Sequence, residues 1–125
     1  MVRIYHNPQC KKSRLVLEYI RKNAKEFEVI EYLKIPFTDK TLEKLLVKLN
    51  KRPVEIVRTQ EGYFKRFLKG MEFEDYEWIR ILVENPKLIM RPIVETDYKA
   101  VIGYSEEDIL PLLTPHSSPS VLNYP

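Results

Sequence analysis

The one cysteine of this chain, Cys10, lies in a segment whose residue types favour nucleophilic chemistry. It follows the turn residues Asn7 and Pro8, and Lys11 and Lys12 come directly after it at the start of an amphipathic helical pattern. A thiol at a helix N-terminus among cations is shifted toward the thiolate, the nucleophilic form. A lone cysteine is otherwise most often a small buried hydrophobe, but the polar and charged neighbours argue against that role. We therefore predict an exposed, activated thiol.

The positive charge after this cysteine also predicts an anion nearby. Lys11, Lys12 and Arg14 oppose the helix dipole at a cost of roughly 0.3–1 kcal/mol each when exposed. A sequence that tolerates this cost is expected to hold an anion at the helix start, the alternative being a solvated first turn without a ligand. Ser13 stands where a Cys-x-x-Cys pair has its second thiol, so an oxidised Cys10 must be resolved by another molecule.

Two arginines and a histidine are further candidates for the same site. Guanidinium groups form bidentate hydrogen bonds with tetrahedral oxyanions, so Arg58 and Arg91 are candidate ligands for an arsenate- or phosphate-like group. Arg91 directly precedes Pro92, and an X-Pro bond before a strand can be cis. His6 is a candidate to hydrogen-bond or polarise the Cys10 thiolate across the loop, and a purely structural donor is the alternative.

The composition bounds the class of protein. A chain of 125 residues with 44% hydrophobic side chains is expected to form one globular unit. The net charge of +3, from 21 basic and 18 acidic residues, argues against direct nucleic-acid binding. One cysteine and two histidines argue against disulfides and a metal site. No leader and no membrane span is recognisable, which predicts a cytoplasmic protein without membrane association.

Apolar periodicity predicts an α/β fold. Residues 3–5 indicate a strand, the spacing of Leu15, Val16, Tyr19 and Ile20 a helix, and residues 27–32 a second strand parallel to the first. This βαβ unit is followed by a mostly helical segment over residues 38–85. Thr38 is predicted to cap a helix whose apolar stripe is Leu42, Leu45, Leu46 and Leu49. A short helix is predicted to begin at Pro53, and a helical turn to precede Gly70. The last predicted helix of this segment carries Tyr76, Ile79, Leu82 and Val83.

The C-terminal part predicts a ββα unit and a tail. Ile93-Val94 and residues 100–102 are predicted to pair as a hairpin, and Ser105 with its acidic followers to begin the last helix. Residues 114–125 lack periodicity and are predicted to be irregular. We expect a single domain over residues 1–113 that contains the helical insertion at about 38–85.

Five sequence blocks resemble the ArsC-type, glutaredoxin-linked arsenate reductases, in order over residues 2 to about 113. They are IYHNPQCKKSR at 4–14, EYLK at 31–34, VR at 57–58, PKLIMRPIV at 86–94 and AVIG at 100–103. The first and fourth are the specific ones. The resemblance implies a thioredoxin-like fold of βαβ plus ββα, with a mostly parallel sheet, a helical insertion and a cis proline after Arg91.

The resemblance also implies a mechanism. Cys10 would attack arsenate with His6 beside it, and Arg58 and Arg91 would bind the oxyanion. Glutathione, as cosubstrate, would then attack the arsenic-bound sulfur, and glutaredoxin would clear the mixed disulfide, with no bound cofactor. Lys11, Lys12, Ser13, Arg14, Pro92 and Tyr104 would support the site.

Tyr104 departs from the family pattern, which has a third arginine there. The block GYSEEDI at 103–109 instead resembles the Spx-type regulators of the same superfamily, which bind RNA polymerase. Those regulators carry Cys-x-x-Cys, whereas this chain has Ser13 at the second position. Two alternatives therefore remain beside the arsenate reductase: a regulator that binds RNA polymerase, and a glutathione-dependent reductase that acts on glutathionylated thiols.

Overall fold

The N-terminal and C-terminal parts of the described chain contribute to one four-stranded sheet. The computed structural model describes residues 1–113. The strands are β1 (Val2–Tyr5), β2 (Phe27–Ile30), β3 (Ile93–Glu95) and β4 (Ala100–Ile102). Their spatial order is β2-β1-β3-β4. β1 and β2 are parallel, whereas β3 is antiparallel to both β1 and β4.

This sheet is mixed, so the mostly parallel sheet implied by the resemblance is wrong. β1 and β2 are joined by a helix, which allows neighbouring strands to run parallel as predicted. β3 and β4 are joined only by the turn at residues 96–99, where the Thr96 N–H donates to the Lys99 carbonyl (2.8 Å). So short a connection permits only an antiparallel pair. The predicted hairpin is confirmed.

Helix α1 (Lys11–Asn23) connects β1 to β2 and packs through one face onto the sheet. Its buried side chains recur at i, i+3, i+4 and i+7, and they are Ser13, Val16, Leu17 and Ile20. Leu15 is 62% exposed, so its predicted place on this face is wrong. The buried face of α1 begins at Ser13, a small polar residue. A pattern of apolar residues alone does not identify such a buried serine.

Helix α4 (Glu106–Leu113) completes the first unit, which comprises residues 1–31 and the described residues from 91 onward. Ile109 and Leu112 pack into the same core as α1 and the centre of the sheet. That core consists of Ile4, Val16, Leu17, Ile20, Val94, Ile109 and Leu112. The βαβ plus ββα order of the prediction is confirmed, and it is the thioredoxin-like arrangement.

Residues 32–90 form a second compact unit, which is mostly helical as predicted. In α2 (Asp39–Leu49) the four predicted leucines are buried, and the Thr38 hydroxyl caps the helix by accepting the Thr41 N–H (3.1 Å). In α3 (Asp75–Glu84) Trp78, Ile79 and Leu82 are the buried side chains. Tyr76 is 72% exposed, so its predicted inward position is wrong.

Short helical turns connect these helices within the second unit. They are 3-10 turns at Pro53–Ile56 and Pro86–Leu88 and a π-helical turn at Phe64–Leu68, which ends before Gly70 at φ 80°. The helical segments predicted at Pro53 and before Gly70 are confirmed. An antiparallel bridge joins Val57 to Ile89, so residue 58 is anchored to the segment that precedes Arg91.

The single domain over residues 1–113 with an insertion at about 38–85 stays a prediction. The irregular tail predicted at residues 114–125 lies outside the described residues. Within residues 1–113, none of the helices combines the length and the apolar character that crossing a bilayer requires.

Candidate active site

The loop between β1 and α1 places Cys10 at the N-cap of the helix. Cys10 has extended backbone (φ −93°, ψ 122°), and its carbonyl accepts the first helical hydrogen bond, from the Arg14 N–H (3.0 Å). Its own N–H donates to the Asn7 carbonyl (3.0 Å), and the Asn7 side-chain oxygen accepts the Gln9 N–H (3.0 Å). This turn fixes the thiol at the end of the helix where unpaired N–H groups and positive potential are found.

The buried side chains of Ser13 and His6 support this loop through hydrogen bonds. Ser13 is fully buried, and its Oγ accepts the Asn7 N–H (3.0 Å) and lies 2.7 Å from Nδ1 of His6. His6 is itself only 5% exposed, and its N–H donates to the Ile30 carbonyl (2.8 Å). The hydrogen bond that the structure gives the His6 ring is therefore to Ser13, where the sequence suggested the Cys10 thiolate. Ser13, which occupies the position of the second thiol in a Cys-x-x-Cys pair, is thus paired with His6.

Burial chiefly lowers the pKa of His6. The carboxylate of Glu31 opposes this shift, and the nearby charges of Arg21 and Arg14 add to it, with a net direction below the ordinary value. The imidazole is consequently neutral near pH 7. In the tautomer protonated at Nε2, Nδ1 accepts the Ser13 hydroxyl proton while the hydroxyl oxygen accepts the Asn7 N–H, so each group in this chain of contacts is satisfied.

The electrostatics around the sulfur favour the thiolate. Cys10 is half-buried, so the predicted exposed thiol is wrong. Burial raises the pKa of Cys10, but the Ser13 N–H, the charge and hydrogen bonding of the Arg91 guanidinium, and the Lys12 N–H together lower it by more. The net pKa lies below the ordinary value of a cysteine. The cause is the combination predicted for an activated thiol: backbone donors at a helix N-terminus together with a cation.

Arg91 reaches this site from the segment that enters β3. Its peptide bond to Pro92 is cis, as predicted. Among the described residues, the Nε atom of Arg91 is the buried side-chain nitrogen or oxygen without a hydrogen-bond partner. A buried donor on a cationic group is costly to leave unpaired, and guanidinium donors match the oxygens of a tetrahedral oxyanion. The donor set beside Cys10 therefore suits an anionic ligand.

Lys12, two residues after Cys10 in the chain, lies against the exposed ring of Tyr104. The Lys12 ammonium is 5.0 Å from the centroid of the Tyr104 ring. Lys11 and Lys12 are both exposed, and of the two only Lys12 contacts an aromatic ring among the described residues. The Arg14 guanidinium donates to the Pro8 carbonyl (2.9 Å) and so closes the loop that carries Cys10.

Arg58 belongs to the second unit and has partners there. Its Nη1 donates to the Glu61 carboxylate (2.9 Å) and to the Lys87 carbonyl (3.1 Å), and its N–H donates to the Leu88 carbonyl (2.7 Å). Binding of an oxyanion by Arg58 stays a prediction.

The helix start predicted at Ser105 and its acidic followers is confirmed, since α4 begins at Glu106. The Asp108 carboxylate accepts the N–H groups of Tyr104 and Ser105 (both 3.1 Å) and caps this helix. The acidic block after Tyr104 thus has a capping role in the fold. Over residues 1–113, no group of three or more His, Cys, Asp or Glu side chains is arranged to hold a metal ion.

Comparison with known proteins gives consistent matches over this region. The ArsC family model matches residues 5–112. The uncharacterized protein YfgD of Escherichia coli K12 is 39% identical over 114 residues, which cover 90% of this chain and 96% of that protein. The arsenate reductase of Yersinia enterocolitica is 36% identical over 113 residues, covering 90% of this chain and 80% of that protein. The solved structure of the arsenate reductase from Vibrio cholerae is 33% identical with a TM-score of 0.83, covering 90% and 97% of the two chains.

Proposed function

The chain belongs to the ArsC family, and we propose that it is a thiol-dependent arsenate reductase in which Cys10 is the nucleophile. The observation that carries this proposal is the pairing of a thiol whose pKa is lowered with the buried, unpartnered Nε of Arg91. One group supplies a nucleophile, and the other supplies a donor for an oxyanion beside it. The relatives named arsenate reductase support arsenate as that oxyanion.

In the proposed reaction the Cys10 thiolate attacks the arsenic of arsenate and displaces one oxygen, which leaves as water after taking up protons. A glutathione thiolate then attacks the Cys10 sulfur. A disulfide bond forms as the sulfur–arsenic bond breaks, and the electron pair of that bond passes to arsenic, which leaves as arsenite. A second thiol, which we propose is that of glutaredoxin, attacks the mixed disulfide and releases the Cys10 thiolate. The chain has no other cysteine to perform this last step.

The residues around the sulfur have separate roles in this proposal. The N–H groups of Lys12 and Ser13 and the Arg91 guanidinium stabilise the thiolate before attack. Arg91 also neutralises the charge of the arsenate oxygens, which favours approach of one anion to another. His6 acts as a positioning residue, because its contact is with Ser13, and Ser13 in turn holds the Asn7 end of the loop.

The test is arsenate-dependent oxidation of NADPH in the presence of glutathione, glutaredoxin and glutathione reductase. We expect turnover by the wild-type protein, only the protein-free rate with Cys10→Ser, and a raised KM for arsenate with Arg91→Met. Lys22→Met, which removes a charge from the last turn of α1, is the matched control and should keep the wild-type rate. Equal rates for wild type and Cys10→Ser would refute the proposal.

If the protein turns over a glutathionylated thiol but not arsenate, Cys10 would still be the nucleophile, and the glutathionylated thiol would be the substrate in place of arsenate. The same thiolate would then attack a disulfide sulfur instead of arsenic. Binding to RNA polymerase stays a prediction. The acidic block that motivated it includes Asp108, which the fold uses as a helix cap.

A further inference from the structure

The contact between Lys12 and Tyr104 is the feature of the site that the proposed mechanism leaves unused. An ammonium within about 6 Å of an aromatic centroid is attracted to the face of the ring, and the Lys12 ammonium lies 5.0 Å from the centroid of Tyr104. A lysine side chain at a helix surface usually extends into water. This one lies against a ring contributed by the loop between β4 and α4.

The loop that carries Tyr104 is anchored on both sides. The Gly103 N–H donates to the Pro92 carbonyl (2.8 Å), which ties the loop to the segment that carries Arg91. The Tyr104 N–H donates to the Asp108 carboxylate (3.1 Å), which ties it to the start of α4. The ring therefore holds the Lys12 ammonium at a place defined by the same framework that places the Arg91 guanidinium.

Lys12 also keeps its charge available. In the part of the chain that the structure describes, no carboxylate lies within ion-pair distance of its ammonium. A cation in the first turn of a helix is unfavourable on its own. An anion bound at the helix N-terminus would remove that cost, because it interacts favourably with both the lysine and the helix.

We propose that Lys12, positioned by the ring of Tyr104, is a second cation that binds the anionic group of the substrate attacked by Cys10. The inference rests on the proposed function for the location of the reacting sulfur. The chemistry recognised is a negatively charged oxygen. Its two sources are the oxygens of arsenate and the carboxylates of a glutathionyl group. Tyr104 has no contact with the ligand in this proposal and acts through Lys12.

The experiment compares alkylation of Cys10 by iodoacetate, an anion, with alkylation by iodoacetamide, its neutral analogue. The ratio of the two rates cancels the fraction of thiolate, because the same thiolate attacks both reagents. It therefore reports the local positive charge, and it requires no enzymatic turnover. A protein that fails to reduce arsenate can still be tested, which separates failure of this inference from failure of the proposed function.

Lys12→Met is expected to lower the iodoacetate-to-iodoacetamide ratio by about fivefold. This is the factor for the attraction in water between an ammonium and a reagent carboxylate bound about 4 Å from it. Tyr104→Leu should lower it by about two- to threefold, because the ammonium is no longer held by a ring. Tyr104→Phe keeps the ring and should keep the ratio. In the double variant, Tyr104→Leu should add nothing to Lys12→Met, because the tyrosine acts through the lysine.

Lys11→Met is the matched control, since it removes the same charge from the same helical turn. An equal fall in Lys11→Met and Lys12→Met would overturn the proposal, since any nearby charge would then suffice. An unchanged ratio in Tyr104→Leu, or an additive double variant, would overturn the positioning role of the ring.

Protection of Cys10 from iodoacetamide distinguishes the two sources of the anion. Sodium arsenate and S-methylglutathione serve as the probes. Weaker protection by arsenate in Lys12→Met assigns the lysine to the oxyanion, and weaker protection by S-methylglutathione assigns it to the glutathionyl carboxylates. Protection by both probes that is unchanged in Lys12→Met would overturn ligand binding by Lys12.

Discussion

Nδ1 of His6 lies 2.7 Å from Oγ of Ser13, and both side chains are buried beneath the loop that carries Cys10. The same oxygen accepts the Asn7 N–H, so one hydroxyl joins the end of β1 to the first turn of α1. Where a dithiol protein has its second sulfur, this chain has an oxygen that holds the loop in shape. Ser13 therefore supports the loop that carries Cys10 and offers no second thiol for an internal disulfide.

Ser13→Ala should destabilise the protein by about 1–3 kcal/mol, because it leaves the Asn7 N–H and Nδ1 of His6 without their buried partner. Urea denaturation measures the free energy of unfolding. Ser105→Ala is the control, since the Ser105 hydroxyl is exposed and its 3.3 Å contact with Asp108 is long. Equal losses in the two variants would show that the buried hydrogen bonds of Ser13 contribute nothing particular.

Arg91→Met should raise the pKa of Cys10, because the charge of Arg91 and its hydrogen bond favour the thiolate. The rate of Cys10 alkylation by iodoacetamide, followed against pH, measures that pKa. The matched control is Arg14→Met, whose guanidinium donates to the Pro8 carbonyl and should shift the pKa less. A wild-type pKa near the free value of about 8.5, unaltered by Arg91→Met, would show that the site does not activate the thiol.

Stability should fall on acidification through the pKa of His6. The folded-state pKa is lowered, mainly by burial, so the unfolded chain takes up a proton at a higher pH than the folded protein does. The contribution of neutral His6 is thus present above the unfolded value of about 6.5 and is lost as the pH falls below it. Thermal melts between neutral and mildly acidic pH should show this decline in the wild type. The decline should be smaller in His6→Gln, and an identical pH profile would assign it to other groups.

Glu95 lies on the face of the sheet opposite the core cluster. It is 5% exposed and accepts hydrogen bonds from the Tyr5 hydroxyl (2.7 Å) and the Arg3 guanidinium (3.0 Å). Glu95→Gln should cost about 1.5–3 kcal/mol of unfolding free energy, the range for hydrogen bonds to a charged group. Glu28→Gln removes a more exposed ion pair of the same arginine and should cost at most about 1 kcal/mol. Unfolding in urea compares the two, and a larger loss in Glu28→Gln would contradict this ranking.

Local patterns predicted the parts of this structure that depend on local chemistry. Thr38 and the leucine stripe of α2, the turn between β3 and β4, and the position of Cys10 at a helix start follow from the spacing of apolar and capping residues. Leu15 and Tyr76 were misplaced because a helical pattern fixes the inward face only to within about one residue when a polar or aromatic side chain interrupts it.

Contacts between distant segments could not be predicted in this way. The hydrogen bond between His6 and Ser13 depends on both side chains being buried. The contact of Lys12 with Tyr104 depends on how α1 packs beside the loop after β4. The burial of Glu95 depends on its hydrogen bonds to Tyr5 and Arg3, which a sequence pattern does not show. The oxyanion role of Arg58 stays a prediction.

The most direct test of Cys10 as the arsenate-reducing nucleophile is the intact mass of the protein after incubation with arsenate and glutathione, with glutaredoxin omitted. Without the second thiol, the mixed disulfide on Cys10 has no protein partner to remove it. We predict one added glutathionyl group that forms only when arsenate is present and is absent in Cys10→Ser. An adduct that forms equally without arsenate, or no adduct with it, would contradict the proposed reaction.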